Sequence, residues 1–245
     1  MFKVNCVTLT LFSFLVLCVA GTAGAAEMSK EDAHMKMHHL HVMMNKGVLL
    51  ATEGSNLLML SKTDMLPSVD DMMDRHGSEM ISQSRPLIQR TMSAPVIMEL
   101  HSKKYINDPL LHYTEQLGVA MIEAVDSLEK MIMSSSTSAD AKKMSHLQTL
   151  LNHALEMAAE GSNLAILGQM GKTGKVMDTY SIKLGNQMMI NAKMLLSSTL
   201  QGKTMQDLHA SGSPPASDQM MRNVHSFAEA ALKVIDMLIT MPPMH

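Results

Sequence analysis

The chain has 245 residues, with 20 basic and 23 acidic side chains and a net charge of −3 when histidine is counted as neutral. The chain as a whole has no excess of positive charge to release counterions from a nucleic-acid backbone, so this balance argues against nucleic-acid binding. With 29 Met, four Phe, three Tyr and no Trp, the core is expected to consist of Leu, Ile, Ala and Met, and Met fills irregular gaps in helical packing.

The first 26 residues have the pattern of a secretory signal peptide. A basic residue precedes an apolar run, and the small residues at 21–26 supply an Ala-x-Ala cleavage site. No second long apolar run follows, so we expect no transmembrane segment in an exported protein that is periplasmic or extracellular. Both cysteines, Cys6 and Cys18, lie inside the signal. The exported chain would therefore have no disulfide and no cysteine-based metal site.

The first predicted helix covers 30–61 and starts with a segment rich in metal-ligand side chains. Residues 35–44 read Met-Lys-Met-His-His-Leu-His-Val-Met-Met. Thioether sulfur and imidazole nitrogen suit soft or borderline metals such as Cu(I), Ag(I) and Cu(II). The sequence therefore predicts a copper site here. Its principal ligands would be Met35, Met37, His38, His39, His41, Met43 and Met44.

Helical spacing distributes these residues over two faces. At about 100° per residue, His34, His38 and His41 share one stripe. A second stripe on another face includes His39 and Met43. The alternative to a metal site is a solvated helix start whose histidines titrate near neutrality.

The second predicted helix runs from about Ser68 to about Met92. Ser68 can cap it together with Asp71, and Pro86 is expected to kink or break it. Three side chains stack at i, i+4 and i+8 and are predicted to support the metal site of the first helix. These supporting ligands are Met72, His76 and Met80.

A third helix is predicted at 108–133. Asp108 and Pro109 supply an N-cap followed by proline at the first helical position, and apolar residues recur at helical spacing as far as Ile132. The Ser-rich stretch 134–140 then interrupts the pattern and is predicted to be a linker.

The second half of the chain resembles the first. The string Glu-Gly-Ser-Asn-Leu begins at Glu53 and again 107 positions later at Glu160. An identical five-residue string inside a longer partial match is hard to obtain by chance. Further identical residues fall on one another with an offset of 107 or 108: His39 on His146, Asn45 on Asn152, and Gly77 on Gly185.

We interpret this similarity as a tandem duplication of a three-helix unit, with one Met/His-rich repeat at 27–133 and a second repeat at 141–245. The second repeat should have helices near 141–168, 176–200 and 218–241. No stretch alternates with the period of a strand. The predicted fold is therefore all-α, as a pair of helical bundles or one six-helix array.

The second repeat offers further ligands on one helical stripe, namely His146, His153 and Met157. A structural alternative is an imidazole paired with a carboxylate inside the bundle.

Glycine in mid-helix costs about 1 kcal/mol relative to alanine. Gly54 and Gly161 are therefore predicted to permit close helix crossings, with the following Ser and Asn bonding across the same contact.

No enzyme motif survives inspection. The segment 171–173 lacks the earlier glycine of a phosphate loop, and a Glu-x-x-His motif occurs at Glu31 without the second copy that a di-iron bundle needs. We therefore expect a non-enzymatic exported protein that binds or buffers copper, or silver. Two alternatives remain open. One is a structural or protein-interaction module with a Met-rich core and no metal, and the other is a sacrificial methionine reservoir against oxidants.

Overall fold

The structure, a computed structural model, describes residues 29–62, 68–103, 106–133, 141–210 and 215–242. These ranges are helical almost throughout and contain no strand, so the prediction of an all-α bundle is confirmed. The predicted signal peptide at 1–26 and the predicted linker at 134–140 lie outside the described residues. No helix in the described part of the chain is long and apolar enough to cross a bilayer.

Six long helices and two short ones make up the described fold. The long helices fall where the sequence predicts six, whereas the two short ones are not expected from the sequence. In chain order the helices are α1 (Lys30–Ser61), α2 (Asp70–Met92), α3 (Pro95–Lys103), α4 (Asp108–Met133), α5 (Ala141–Gln169), α6 (Lys175–Gln201), α7 (Lys203–Ala210) and α8 (Pro215–Ile239).

The first two helices begin in different ways. In α1, Ser29 Oγ accepts a hydrogen bond from the Asp32 amide at 3.0 Å, and the Asp32 carboxylate accepts one from the Ser29 amide at 3.3 Å. This capping box satisfies backbone groups that a helix start leaves unpaired. The predicted cap of α2 by Ser68 is wrong. That helix begins at Asp70 with Val69 at the N-cap, so Ser68 stands one residue too early to cap the first turn.

The effects of two prolines on their helices differ from the sequence-based predictions. Pro86 does not break α2, which continues to Met92. The proline removes a bond to the carbonyl of Ser82, but Ser82 is exposed, so water can reach that carbonyl. Pro215 starts α8 three residues before the predicted start, because proline fits the first helical position.

Each half of the chain contains an antiparallel helix pair that crosses at two glycines. A Cβ built on Gly54 in α1 would lie 2.6 Å from the carbonyl oxygen of Gly77 in α2. In the same way, a Cβ on Gly161 in α5 would lie 2.7 Å from the carbonyl oxygen of Gly185 in α6. All four glycines are buried. The prediction that Gly54 and Gly161 permit close helix crossings is confirmed.

α1 and α5 meet along an antiparallel seam of buried amide and hydroxyl groups. The Asn45 side chain donates to Ser162 Oγ at 3.0 Å and to Asn163 Oδ1 at 2.8 Å. The residues matched by the internal repeat make the same two bonds in the opposite direction, from Asn152 to Ser55 Oγ at 2.9 Å and to Asn56 Oδ1 at 2.8 Å.

This seam corrects one part of the sequence-based expectation. The Ser and Asn residues that follow the glycines do not bond across the glycine crossings but join α1 to α5. The reason is that they lie on a different face of each helix from the preceding glycine, since successive residues advance by about 100°. The duplication stays an interpretation of the sequence, and reciprocal bonds of this kind are what a duplicated unit would make.

The main hydrophobic core lies between α1, α4, α5 and α8. It consists largely of Leu, Ala, Val and Met, with Phe227 as its one large aromatic side chain among the described residues. A second, smaller cluster packs Met37 and Leu40 of α1 against α3 and the start of α4. The start of α1 is therefore packed against α3 and α4 as well as against α5.

Replacing Gly54 with alanine is expected to destabilise the fold by about 1–3 kcal/mol, because the new methyl group meets a backbone carbonyl that cannot move away. Gly118→Ala is the matched control. The atoms nearest to a Cβ at Gly118 all belong to the flexible side chain of Met92. Urea denaturation of both variants measures the difference, and equal free energies of unfolding would contradict the close-crossing explanation.

Candidate metal-binding site

A pocket of about 360 Å³ lies where the first turns of α1 meet the end of α5. His34, Met35 and His38 line it from α1. Gln169, the last residue of α5, and Met170, which follows it, line the opposite wall. Two imidazoles and two thioethers thus border one space.

The antiparallel seam explains why these residues meet. Asn45 lies beside Ser162, so residues two turns before Asn45 must lie beside residues two turns after Ser162. Counting seven residues in each direction gives His38 and Gln169. The pocket is therefore a consequence of the register that the buried amides fix.

Two of the cluster's imidazoles are enclosed by protein. His38 is 3% exposed and His41 is 1% exposed. His41 Nε2 lies 3.1 Å from Thr114 Oγ1, whose hydroxyl donates to the Leu110 carbonyl at 2.8 Å. The His41 imidazole and the Thr114 hydroxyl therefore share a hydrogen bond inside the protein.

Electrostatics at His41 follow from this enclosure. Burial, together with the neighbouring His38 imidazole, lowers the pKa of His41 from 6.5 to about 4. The imidazole is therefore neutral at physiological pH. Because His38 and His41 are buried, the alternative of a solvated helix start is wrong for these two residues, whereas His39 is exposed on the other side of the helix.

The rim and back of the pocket differ in their polar groups. At the rim, Lys172 Nζ lies 3.2 Å from a carboxylate oxygen of Glu31, and both side chains are exposed. At the back, the side-chain oxygen Oε1 of Gln169 is buried and accepts no hydrogen bond from any described residue. An unsatisfied buried acceptor costs about 1–3 kcal/mol, so a ligand or water at this point would be stabilised.

The seven ligands predicted on α1 do not form one site. They occupy three environments, which follow from their positions around the helix. Met35 and His38 border the pocket, Met37, His41 and Met44 are buried, and His39 and Met43 are exposed.

The predicted supporting ligands on α2 lie elsewhere. α2 runs antiparallel to α1, and Gly77 of α2 lies against Gly54 of α1. Met72, His76 and Met80 are therefore beside the second half of α1, whereas the Met/His cluster is in its first half. The structure does not bring the two groups together.

The predicted ligands of the second half are also dispersed. His146 borders a separate groove of about 250 Å³ with residues of α6, and Met157 packs against the core. His153 is exposed, with Nδ1 3.6 Å from the Glu156 carboxylate, which also accepts from Asn56 at 2.8 Å. Burial raises the pKa of the Glu156 carboxyl. This contact pairs an imidazole with a carboxylate, but His153 lies at the surface and not inside the bundle as the structural alternative had it.

No three His, Asp or Glu side chains are gathered as a cation site anywhere in the described ranges. The pocket between α1 and α5 instead combines two imidazoles with two thioethers. Sequence reasoning placed His34 on the correct stripe but did not identify Gln169 or Met170. No local pattern marks these two residues, because only the packing of α5 on α1 brings them to the pocket.

Comparison with known proteins supplies no relative from which site residues could be transferred. The chain matches no family model, no curated protein and no solved structure. Function is therefore inferred from the pocket itself.

In the metal-free protein, the free energy of unfolding is expected to fall as the pH drops from about 6.5 to about 4. Over this range the unfolded chain binds a proton at His41 that the folded chain does not bind. This one group contributes a slope of about 1.4 kcal/mol per pH unit. Urea denaturation at several pH values should give a smaller slope for His41→Gln than for the wild type. Identical slopes would contradict the burial argument.

Proposed function

We propose that this is an exported, non-enzymatic protein that binds a soft metal ion, Cu(I) above all, in the pocket between α1 and α5. The observation that supports this proposal is the joint lining of the pocket by two imidazoles and two thioethers. His34 and His38 would supply nitrogen, and Met35 and Met170 would supply sulfur. Silver(I) has the same ligand preference and is an alternative cargo.

The ligand types in the pocket favour a soft ion over a hard one. Calcium and magnesium require several oxygen ligands. The acidic side chain at the pocket is Glu31, and it is already paired with Lys172 at the rim. Thioethers are poor ligands for hard cations but good ligands for Cu(I). The buried amide oxygen of Gln169 could add one weak contact.

Methionine, and not cysteine, is the sulfur ligand expected in an exported protein. The signal-peptide pattern at 1–26 predicts an oxidising compartment, where exposed thiols would be lost to disulfides. Methionine does not form disulfides, so a thioether site keeps its ligands there. The lack of cysteine outside the first 26 residues is consistent with thioether ligands.

A second candidate is an interaction module whose function requires no metal. The observation in its favour is an exposed apolar face on α6, a helix without histidine. The two candidates are compatible in one molecule, because the pocket and this face involve different residues.

We expect the wild-type protein to bind one Cu(I) per chain, measured by competition with a chromophoric Cu(I) chelator under reducing conditions. The double variant Met35→Leu, Met170→Leu should bind at least tenfold more weakly, because it removes both sulfurs while nearly conserving side-chain volume. The matched control is His39→Gln, Met43→Leu, which changes two exposed residues of the same helix outside the pocket.

The outcomes separate the possible sites. Weaker binding by the control alone would place the metal on the exposed stripe of α1 and would contradict the pocket. Less than one Cu(I) per wild-type chain would exclude the proposed function. Far-ultraviolet circular dichroism of each variant checks that the helices remain.

A further inference from the structure

The outer side of α6 is an apolar face that no described residue covers. Its large apolar side chains all lie within about 140° of one another around the helix, over a length of about 27 Å. Val176 and Met194, near its two ends, are 82% and 62% exposed. The exposed members of this face are Val176, Met177, Tyr180, Leu184, Ile190 and Met194.

The inner side of α6 makes this exposure unusual. Small residues, including Ser181, Gly185 and Ala192, form much of the buried side against α5. A surface helix of a globular protein normally directs its large apolar residues inward and its polar residues outward. In α6 several of the large residues point outward, interrupted midway by the exposed Gln187 and Asn191, whose side chains hydrogen-bond to each other at 3.0 Å. Exposed apolar surface of this kind marks an interaction site.

The fold itself does not require this pattern, as the corresponding helix of the first half shows. With the offset of 108 that aligns Gly77 with Gly185, His76 of α2 corresponds to Leu184 and Ser82 corresponds to Ile190. The outer side of α2 is exposed too, but it is mostly charged or polar. The apolar character therefore belongs to α6 and not to the shared helix plan.

The charged residues on and beside this face indicate which kind of partner binds it. Lys183 projects from within it, Lys175 and Lys193 flank one side, and Asp178, the one acidic residue of α6, lies towards the buried side. Lys193 is paired with Asp236 of α8 at 2.7 Å. A second copy of the same face would bring no carboxylate to Lys183. An anionic lipid surface would offer both apolar chains and phosphate groups.

We propose that α6 lies flat on an anionic membrane surface, with its apolar side chains among the acyl chains and its lysines at the phosphate groups. Long lysine side chains can keep their charge at the headgroups while their stems lie along the apolar layer. A groove of about 450 Å³ beside Ile190 and Met194 extends the face to Ile239 of α8. The proposal involves none of the metal-pocket residues and does not depend on metal binding.

The test is sedimentation of the exported chain, residues 27–245, with vesicles of equal parts phosphatidylglycerol and phosphatidylcholine, compared with vesicles of phosphatidylcholine alone. The wild type is expected to bind the anionic vesicles, and more weakly in high salt. Tyr180→Glu, Ile190→Glu should lower the partition coefficient at least tenfold. The matched control Met72→Glu, Ser82→Glu makes the corresponding changes on α2 and should bind like the wild type.

Three results would overturn the proposal. They are vesicle binding that survives the α6 substitutions, equal loss in both double variants, and a wild-type dimer that the α6 substitutions dissociate without any vesicle binding. The last result, read from light scattering after gel filtration, would assign the face to a second copy of the chain. All four substituted side chains are exposed, and circular dichroism checks that each variant is folded.

Discussion

The antiparallel seam between α1 and α5 sets the register of these two helices, and the candidate pocket depends on that register. Asn45 and Asn152 each donate two hydrogen bonds across it. A shift of one residue along either helix would rotate these amides out of reach and leave several buried polar groups without partners, each at a cost of about 1–3 kcal/mol. Apolar packing tolerates such shifts more easily. The seam therefore specifies the register, and the register specifies which residues meet at the pocket.

The glycine crossings determine how closely the helices of each half approach one another. They let α2 lie against α1, and α6 against α5, at a distance that any side chain at Gly54 or Gly161 would prevent. α1 consequently contacts α2, α4 and α5 along its length. Its first turns are left at one end of the seam, where α5 ends. The site is thus located by backbone geometry at the crossings and by side-chain polarity along the seam.

The extent to which the sequence predicts this molecule depends on the range of the interactions involved. The bounds of α1 and α4 follow from apolar periodicity, which acts within a few residues. The predicted N-cap of α4 is wrong: Asp108 is already the first helical residue, and Asn107 Oδ1 accepts the Leu110 amide at 2.8 Å in its place. The helices α3 and α7 are short. They pack partly on their chain neighbours α4 and α6 and partly on residues distant in sequence, so local patterns do not reveal them. In the same way, the stripe of His34, His38 and His41 is a local property of a helix. The opposite wall of the pocket belongs to residues more than 130 positions later in the chain.

The chemistry of the seam and the crossings matters in a chain with so many methionines. Oxidants convert methionine to a polar sulfoxide and thereby disrupt cores that depend on it. The groups that fix the register are side-chain amides, hydroxyls and the backbone at the glycines, and none of them is oxidised in this way. Oxidative damage to sulfur would therefore loosen the packing between the helices before it changed which residues of α1 and α5 are neighbours. Repair by a methionine sulfoxide reductase could then restore the original structure without complete refolding.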